Sequence, residues 1–212
     1  MKLYTAKLSP FAARCRMHIY AKGLDVEMVE YPHGVSKDEI VAMNPIGKIP
    51  VLAVGDVVLP ESDTICEYLE DSTDGPALRP EDDLDRARMR LLSRIADFYV
   101  FEPLSPLFAH LSRKHRKQEV VDDGMAKIAK GLGTLEKFIG DGEFAVGAAL
   151  SLADCSLVPI LFFLNTYLPY FGKADPLQPY PKLYSYWNSI QDNEHAARVI
   201  DEIREGIAEK TG

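Results

Sequence analysis

The strand signals in this chain stop early, and that constrains the fold more than any other feature. Residues 2–5 are short and β-like, and 26–30 alternate as a half-buried strand does. Residues 49–52 and 57–59 flank Gly55-Asp56, a hairpin signal. Helical stretches lie between them. Ser9 and Pro10 read as a cap and a first helical position for residues 12–22, which Gly23 stops. Ser36 precedes a short helix over 37–43, broken by Asn44-Pro45-Ile46-Gly47. Residues 61–69 are amphipathic, with Ile65, Tyr68 and Leu69 on one face. The order β-α-β-α-β-β-α predicts a small α/β layer domain. A polar, Pro- and Gly-bearing linker follows over 71–85, and nothing beyond it resembles a strand pair. Residues 84–115, 119–139, 151–167, 181–191 and 195–208 read as helices. The fold class predicted is α/β plus all-α, with a first domain over 1–76 and an all-helical one over 85–212.

Composition narrows the function classes. With 212 residues, 47% hydrophobic and 26% charged, the chain is an ordinary globular protein rather than a disordered or fibrous one. Its 32 acidic against 24 basic residues give a net charge of −8, which argues against a nucleic-acid binder. Cys15, Cys66 and Cys155 are odd in number and far apart, so a reducing, cytoplasmic compartment fits better than a disulfide framework. Met1-Lys2-Leu3-Tyr4 runs into a strand with no signal-peptide core. The most apolar stretch, 157–171, is interrupted by Pro159, Asn165 and Pro169 and reads as too short to span a bilayer. His18, His33, His110, His115 and His195 show no metal-ligand spacing, so no metal is expected. Glycine-rich nucleotide loops and the G-x-S-x-G elbow are absent from the sequence.

Four short motifs carry chemistry. Ser9-Pro10-Phe11-Ala12-Ala13-Arg14 puts a hydroxyl at a strand-to-helix junction, where amide groups and the helix dipole favour an anion. That hydroxyl serves as a helix cap, and it can also donate to a bound thiolate. In Asn44-Pro45-Ile46-Gly47-Lys48-Ile49-Pro50-Val51-Leu52, a proline opening a strand beside a turn is a candidate cis bond. It would leave the backbone of Ile49 open to a peptide-like ligand. Glu61-Ser62 opens the third helix, where Ser62 and the amides suit a carboxylate and Glu61 suits an ammonium group. A capped helix with an acidic first turn accounts for the same residues. Ser151-Leu152-Ala153-Asp154 is a capping-box variant and is assigned to folding.

Together, in order and spacing, these motifs resemble the cytosolic glutathione S-transferase superfamily over essentially the whole chain, in a serine-type form. The resemblance implies a thioredoxin-like, glutathione-binding domain over 1–76 and a helical domain over 85–212 that contributes a second-substrate pocket. It implies that Ser9 activates the glutathione thiol, as in the tau- and zeta-like classes. Lys48, and with it Lys37, would meet the glycine carboxylate, Ile49 before cis-Pro50 would pair with the cysteinyl part, and Glu61 and Ser62 would hold the γ-glutamyl end. Phe11 would form the floor of the second-substrate pocket, with Ile95, Phe98, Tyr99 and Glu102 from one helix and Tyr167, with Tyr170, from another. Core packing is the other reading of each aromatic. Ser-Pro-Phe-Ala-x-Arg is similar to the omega pattern, but Ser9 stands where that class carries cysteine, and a serine cannot form a mixed disulfide. Cys15 reads as a packing residue in the first helix, with a thiol of beta-class type as the alternative.

The activity implied is a cytoplasmic, detoxifying transferase in which glutathione is co-substrate and its thiolate attacks an apolar, aromatic electrophile. The partners implied are glutathione, a small hydrophobic electrophile and a second copy of the chain, with no nucleic acid and no membrane. A glutathione-dependent isomerase or a β-aryl etherase on the same scaffold is the alternative, since residues 61–71 also resemble bacterial β-aryl-etherase relatives. A non-catalytic binding module of this fold is the other.

Overall fold

The computed structural model describes residues 1–211, which gather into two compact units: Met1–Leu78 with the terminal helix, and Arg79–Asp192. In the first unit the chain runs β1 (Lys2–Thr5), α1 (Pro10–Ala21), β2 (Glu27–Glu30), α2 (Lys37–Met43), β3 (Val51–Val54), β4 (Val57–Pro60) and α3 (Ser62–Ser72). The sheet order is β2-β1-β3-β4, with β1 parallel to β2 and antiparallel to β3, and β3 and β4 paired as a hairpin. This is the predicted crossover followed by a hairpin. Leu3, Val51 and Leu52 from the sheet and Ala12, Met17, Ile65 and Leu69 from the helices are fully buried, each large side chain contributing roughly 2 kcal/mol. The Ser9 cap forms as the sequence predicts. The Ser9 hydroxyl accepts from the Ala12 amide at 3.2 Å, and Ser36 and Glu39 close a reciprocal capping box.

The packing of α1 on α3 breaks the usual rule for charged residues. Arg14, His18 and Lys22, spaced four apart, are all buried. Each has a partner at the matching level of α3 or just past its end. The Arg14 guanidinium donates to the Ser62 hydroxyl at 3.2 Å, and His18 Nε2 and Lys22 Nζ both reach Glu70, at 3.2 and 3.3 Å. Lys22 also donates to the Pro76 carbonyl, and Glu70 accepts from the Leu78 amide at 2.9 Å. Burial alone would lower the His18 pKa, but its hydrogen bonds to Cys66 and Glu70 raise it to about 9. Burial alone would raise that of Glu70, but His18, the Leu78 amide and Lys22 bring it down to about 2.

The second unit holds α4 (Asp83–Ile95), α5 (Glu102–Leu104), α6 (Gln118–Phe138), α7 (Leu152–Tyr167) and α8 (Pro181–Ile190). The helix predicted over 84–115 runs on through residue 110 with changes of hydrogen-bond spacing, and stops where Ser112 turns extended. A π-helical turn, Ala96–Phe101, follows α4, and 3-10 turns Ser105–His110 and Arg113–His115 follow α5. The cause is local. Pro103 has no N–H to give the Tyr99 carbonyl, and the Glu102 amide reaches back five residues to Asp97 instead. Gly131 of α6 lies against that turn, so close that an added Cβ would collide with the Tyr99 carbonyl oxygen.

Helix α7 is the centre of this unit, buried continuously from Leu152 to Leu164. The apolar run is longer than its prolines suggest. Leu152–Phe171 spans 20 residues at mean hydropathy 1.4, enough by length and composition to cross a membrane, yet 78% of its most apolar window is buried inside the protein. Asp154, fully buried, accepts from the amides of Ala145 and Ser151 and from the Ser151 hydroxyl, each at 2.8 Å, the folding role read from the sequence.

The terminal helix α9 (Glu194–Thr211), read in the sequence as part of the helical domain, groups with the first unit instead. Its Glu202 accepts from Arg16 Nε at 2.6 Å and from the Tyr20 hydroxyl at 2.7 Å. Gly206 lies against Lys7 and Leu8, and Lys7 pairs with Glu205 and Glu209. These are contacts between residues nearly two hundred positions apart, which sequence spacing does not display.

Two outcomes follow from this packing. Gly131→Ala will lower stability to denaturant by about 3 kcal/mol, because backbone meets backbone there. Gly133→Ala in the same helix, with its nearest atom at 3.8 Å, will be neutral or gain up to ~1 kcal/mol. The His18–Glu70 pair sets a pH window. His18 is raised from 6.5 to about 9, so its stabilisation is complete below pH 6.5 and is lost as pH rises through about 9. Glu70 is lowered from 4.5 to about 2, so its stabilisation is complete above pH 4.5 and is lost as pH falls through about 2. Urea titrations across pH will show a plateau between these limits. Glu70→Gln will lower the plateau by about 3 kcal/mol and flatten both flanks.

Candidate functional site

The predicted site residues in the first unit collect where α1, the β3 entry and α3 begin. Ser9 caps α1, and its hydroxyl oxygen already accepts the Ala12 amide. A hydroxyl that accepts in this way keeps its own proton to give. Ile49 precedes Pro50 across a cis peptide bond, as the motif predicted, and a second cis bond, Tyr31–Pro32, was not foreseen. The turn before Ile49 is held by Asn44, whose side chain donates to the Lys48 carbonyl at 2.9 Å and accepts from the Ile46 amide at 3.1 Å. Among the described residues no backbone hydrogen bond involves Ile49, so its amide and carbonyl are available to an extended ligand. Ser9 and Ile49 share the wall of a cavity of about 540 Å³ with Lys7, Tyr31 and Pro32. Lys37 and Lys48 are exposed, at the start of α2 and in the turn before Ile49.

The third predicted element is more constrained than its sequence shows. Glu61, exposed, has φ +68° and is the one non-glycine residue with positive φ among the described residues. Such a backbone costs of order 1–3 kcal/mol and persists only where the surroundings impose it. Here it turns β4 sharply into α3, so that the first amides of α3 open at the residue where Glu61 stands. Ser62 is 5% exposed rather than freely accessible, and its hydroxyl oxygen accepts a hydrogen bond from Arg14. Its own proton remains available to an anion beside the helix start. Asp63 lies 3.6 Å from the same guanidinium, and Phe11 packs its ring 5.5 Å from it. Arg14 is therefore the residue whose part the sequence did not reveal. Arg14 shares α1 with Arg16 and His18, a polar pattern that gives no sign in sequence of its burial against Ser62. Cys15 is fully buried, with its thiol donating to the Ser62 carbonyl at 3.6 Å, so it packs and does not face a ligand.

The aromatic residues predicted to form one pocket do not all meet. In the second unit Ile95, Phe98, Tyr99 and Glu102 share a groove of about 780 Å³ that also runs along α6 past Gly131 and Phe138. Ile95 is buried at its base, while Phe98 and Tyr99 are about half exposed, at 47% and 59%. Tyr167 is elsewhere. It stacks on Phe163 at 5.8 Å, meets Phe108 edge-on at 5.0 Å and approaches Tyr170 at 6.4 Å. Phe98 and Tyr99 sit in the π turn that faces α6, away from the Tyr167 cluster on α7. Phe11 belongs to the first unit. Among the described residues no group of three or more His, Cys, Asp or Glu side chains is gathered closely enough to hold a metal ion.

Comparison with known proteins matches this architecture. The model of the glutathione S-transferase N-terminal domain matches residues 3–77, and that of the C-terminal domain matches residues 118–186. The chain is 33% identical over 172 residues to maleylacetoacetate isomerase of Pseudomonas aeruginosa, covering 76% of this chain and 80% of that one. Among solved structures it is similar to a maleylacetoacetate isomerase from Methylobacterium extorquens AM1 with bound malonate and glutathione, at TM-score 0.74 and 26% identity, covering 94% and 95% of the two chains. It is similar also to the β-etherase LigF of Sphingobium sp. strain SYK-6, at TM-score 0.78 and 25% identity, covering 95% and 98%. With a thioredoxin-like unit that carries the motifs and a helical unit that follows it, the chain belongs to the glutathione S-transferase family.

Proposed function

We propose that this protein is a serine-type glutathione transferase in which Ser9 holds the glutathione sulfur as a thiolate. The observation that carries the reading is the state of the Ser9 hydroxyl. It sits at the N-terminus of α1, accepts from an amide, and has its proton left to donate. A hydrogen bond given to the ionised form lowers a pKa, and each pKa unit is worth about 1.4 kcal/mol. The dipole of α1 adds to the same effect.

Glutathione is an extended peptide with carboxylates at both ends and an ammonium group at one. The cis turn at Ile49 suits its cysteinyl backbone, Lys48 and Lys37 suit the glycine carboxylate, and Glu61 with the start of α3 suits the γ-glutamyl end. Ser62 would give its proton to that carboxylate while Arg14, paired to its oxygen, keeps the hydroxyl oriented. The thiol proton leaves to solvent, and the thiolate attacks an electrophilic carbon of an apolar, aromatic substrate, forming a C–S bond. Proximity and electrostatic stabilisation carry the rate, with no metal in the scheme. The aromatic surfaces of the helical unit, Phe98 and Tyr99 in one place and Tyr167 in another, supply the chemistry to hold such a substrate. A detoxifying, cytoplasmic homodimer is the form in which this reading places the enzyme. Exposed apolar residues outside the groove of Phe98 and Tyr99, Val57 and Leu84, give a second copy something to cover.

The relatives named for isomerisation and ether cleavage favour a second reading with the same thiolate. In an isomerase the thiolate adds and departs, so glutathione is returned. In conjugation or ether cleavage it is consumed. Thiol consumption per product separates these outcomes.

Ser9→Ala will reduce kcat/KM with a model aryl halide by about 100-fold. Loss of the cap will cost about 1 kcal/mol of stability, which the fold tolerates. Calorimetry will show glutathione still bound, and ultraviolet titration will show the thiol pKa of the bound glutathione returned to its solution value. Unchanged turnover in the variant would remove Ser9 from the mechanism.

A further inference from the structure

Two of the three cysteines meet in a place that the proposed reaction does not use. Cys15 on α1 and Cys66 on α3 are 0% and 1% exposed, and their sulfurs lie 4.0 Å apart. The Cys66 thiol points its proton at Cys15, and the Cys15 thiol donates to the carbonyl of Ser62. His18 completes the group. Its Nε2 is taken by Glu70, its Nδ1 is buried with no oxygen or nitrogen partner, and the ring interacts with Cys66. The cluster thus joins two thiols and an imidazole across the interface of α1 and α3, one turn beneath the residues that form the start of α3.

We propose that Cys15 and Cys66 are a redox pair, closing to a reversible intramolecular disulfide under a peroxide and thereby altering the site above them. A disulfide bond is about 2.05 Å long, so closure draws sulfurs now 4.0 Å apart together by roughly 2 Å. Helix α1 carries Ser9 and Arg14, and α3 carries Ser62. A shift between the two helices changes the Arg14–Ser62 hydrogen bond and removes the thiol proton that the Ser62 carbonyl accepts.

The chemistry balances with hydrogen peroxide, small enough to enter a core that opens locally. One sulfur takes an oxygen atom as the peroxide O–O bond breaks, becoming a sulfenic acid and releasing water. The second sulfur then attacks the first. An S–S bond forms, the S–O bond breaks, and the departing hydroxide leaves as water with the second thiol proton. Two thiols are oxidised by two electrons, and one peroxide is reduced to two waters. At rest the pair is protected. The hydrogen bond to Cys15, and then burial, push the Cys66 thiol well above its ordinary range, so thiolate is scarce until the site opens.

The disulfide stands apart from the reading of the site as glutathione-binding, and only its effect on affinity rests on that reading. The experiment therefore has two readouts. The full-length protein is treated with hydrogen peroxide at a dose that fully oxidises an added small thiol, then alkylated in denaturant and mapped by mass spectrometry. The expected result is that three alkylated cysteines become one, Cys155, with a peptide cross-link between Cys15 and Cys66 that a dithiol reductant reverses. Cys155→Ala will still form the link, and Cys15→Ala and Cys66→Ala will not. Three alkylated cysteines after treatment, higher oxides in place of the link, or links between copies would each overturn the proposal. In the same samples the oxidised protein will bind S-methylglutathione, which has no thiol to reduce the link, at least 10-fold more weakly than the reduced one. An oxidised protein with unchanged affinity would overturn the switch even with the link formed. A reduced protein that binds no glutathione would overturn the reading of the site, and the cross-link map would still decide the redox pair.

Discussion

Burying charge between α1 and α3 is the constraint from which the first unit is built. Arg14, His18 and Lys22 fall on one stripe of α1, and Ser62, Cys66 and Glu70 fall on one stripe of α3, each set four residues apart. An unpaired buried charge costs several kcal/mol, so neither stripe tolerates a slip of the other. Hydrophobic side chains alone would let two helices slide past one another by a turn. A matched ladder of donors and acceptors allows one register. That register fixes where α3 begins, and so places Glu61, with its positive φ, and the first amides of α3 at one level with the start of α1.

The helical unit solves a different problem. Its contacts are set by backbone shape more than by charge. Pro103 deprives the Tyr99 carbonyl of its partner, the chain widens into a π turn, and Gly131 lets α6 approach that turn without a side chain between them. The consequence reaches the surface, because the same turn sets where Phe98 and Tyr99 point. Phe98 and Tyr99, both in that turn, line the groove along α6, while Tyr167 lies with Phe108 and Phe163.

What could be read in advance follows the range of the interaction. Caps, strand alternation and hairpin turns act within a few residues, so Ser9, the start of α2 after Ser36, the Asp154 box and the β3–β4 hairpin were legible. The cis bond before Pro50 was legible because only proline makes it cheap. The buried stripe of α1 was not, since Arg14, His18 and Lys22 look like a solvated face until α3 is laid against them. Glu61's backbone was hidden because nothing in a glutamate announces positive φ. The change to π spacing after α4 hid behind a good amphipathic pattern, which records burial and not hydrogen-bond spacing. The place of α9 was hidden because its partners, Lys7, Arg16 and Tyr20, lie at the other end of the chain.

The residue at the start of α1 distinguishes a folding choice from a chemical one. Asparagine, aspartate and serine cap a helix about equally well, so stability does not choose among them. Chemistry does. An aspartate would put a negative charge beside the sulfur and oppose the thiolate. An asparagine that caps with its carbonyl can still donate from its amide, but that donor sits on a longer side chain and is weaker than a hydroxyl. A cysteine would compete with glutathione as nucleophile and divert the site to disulfide exchange. Serine accepts from the helix with its oxygen, and in the proposed mechanism it would donate to the glutathione sulfur with its proton, both from one short side chain ahead of Pro10 at the first helical position. The same economy holds at Ser62, whose oxygen is occupied by Arg14. In both places a hydroxyl is first oriented by a donor from the fold, and only its proton is left to recognise an anion.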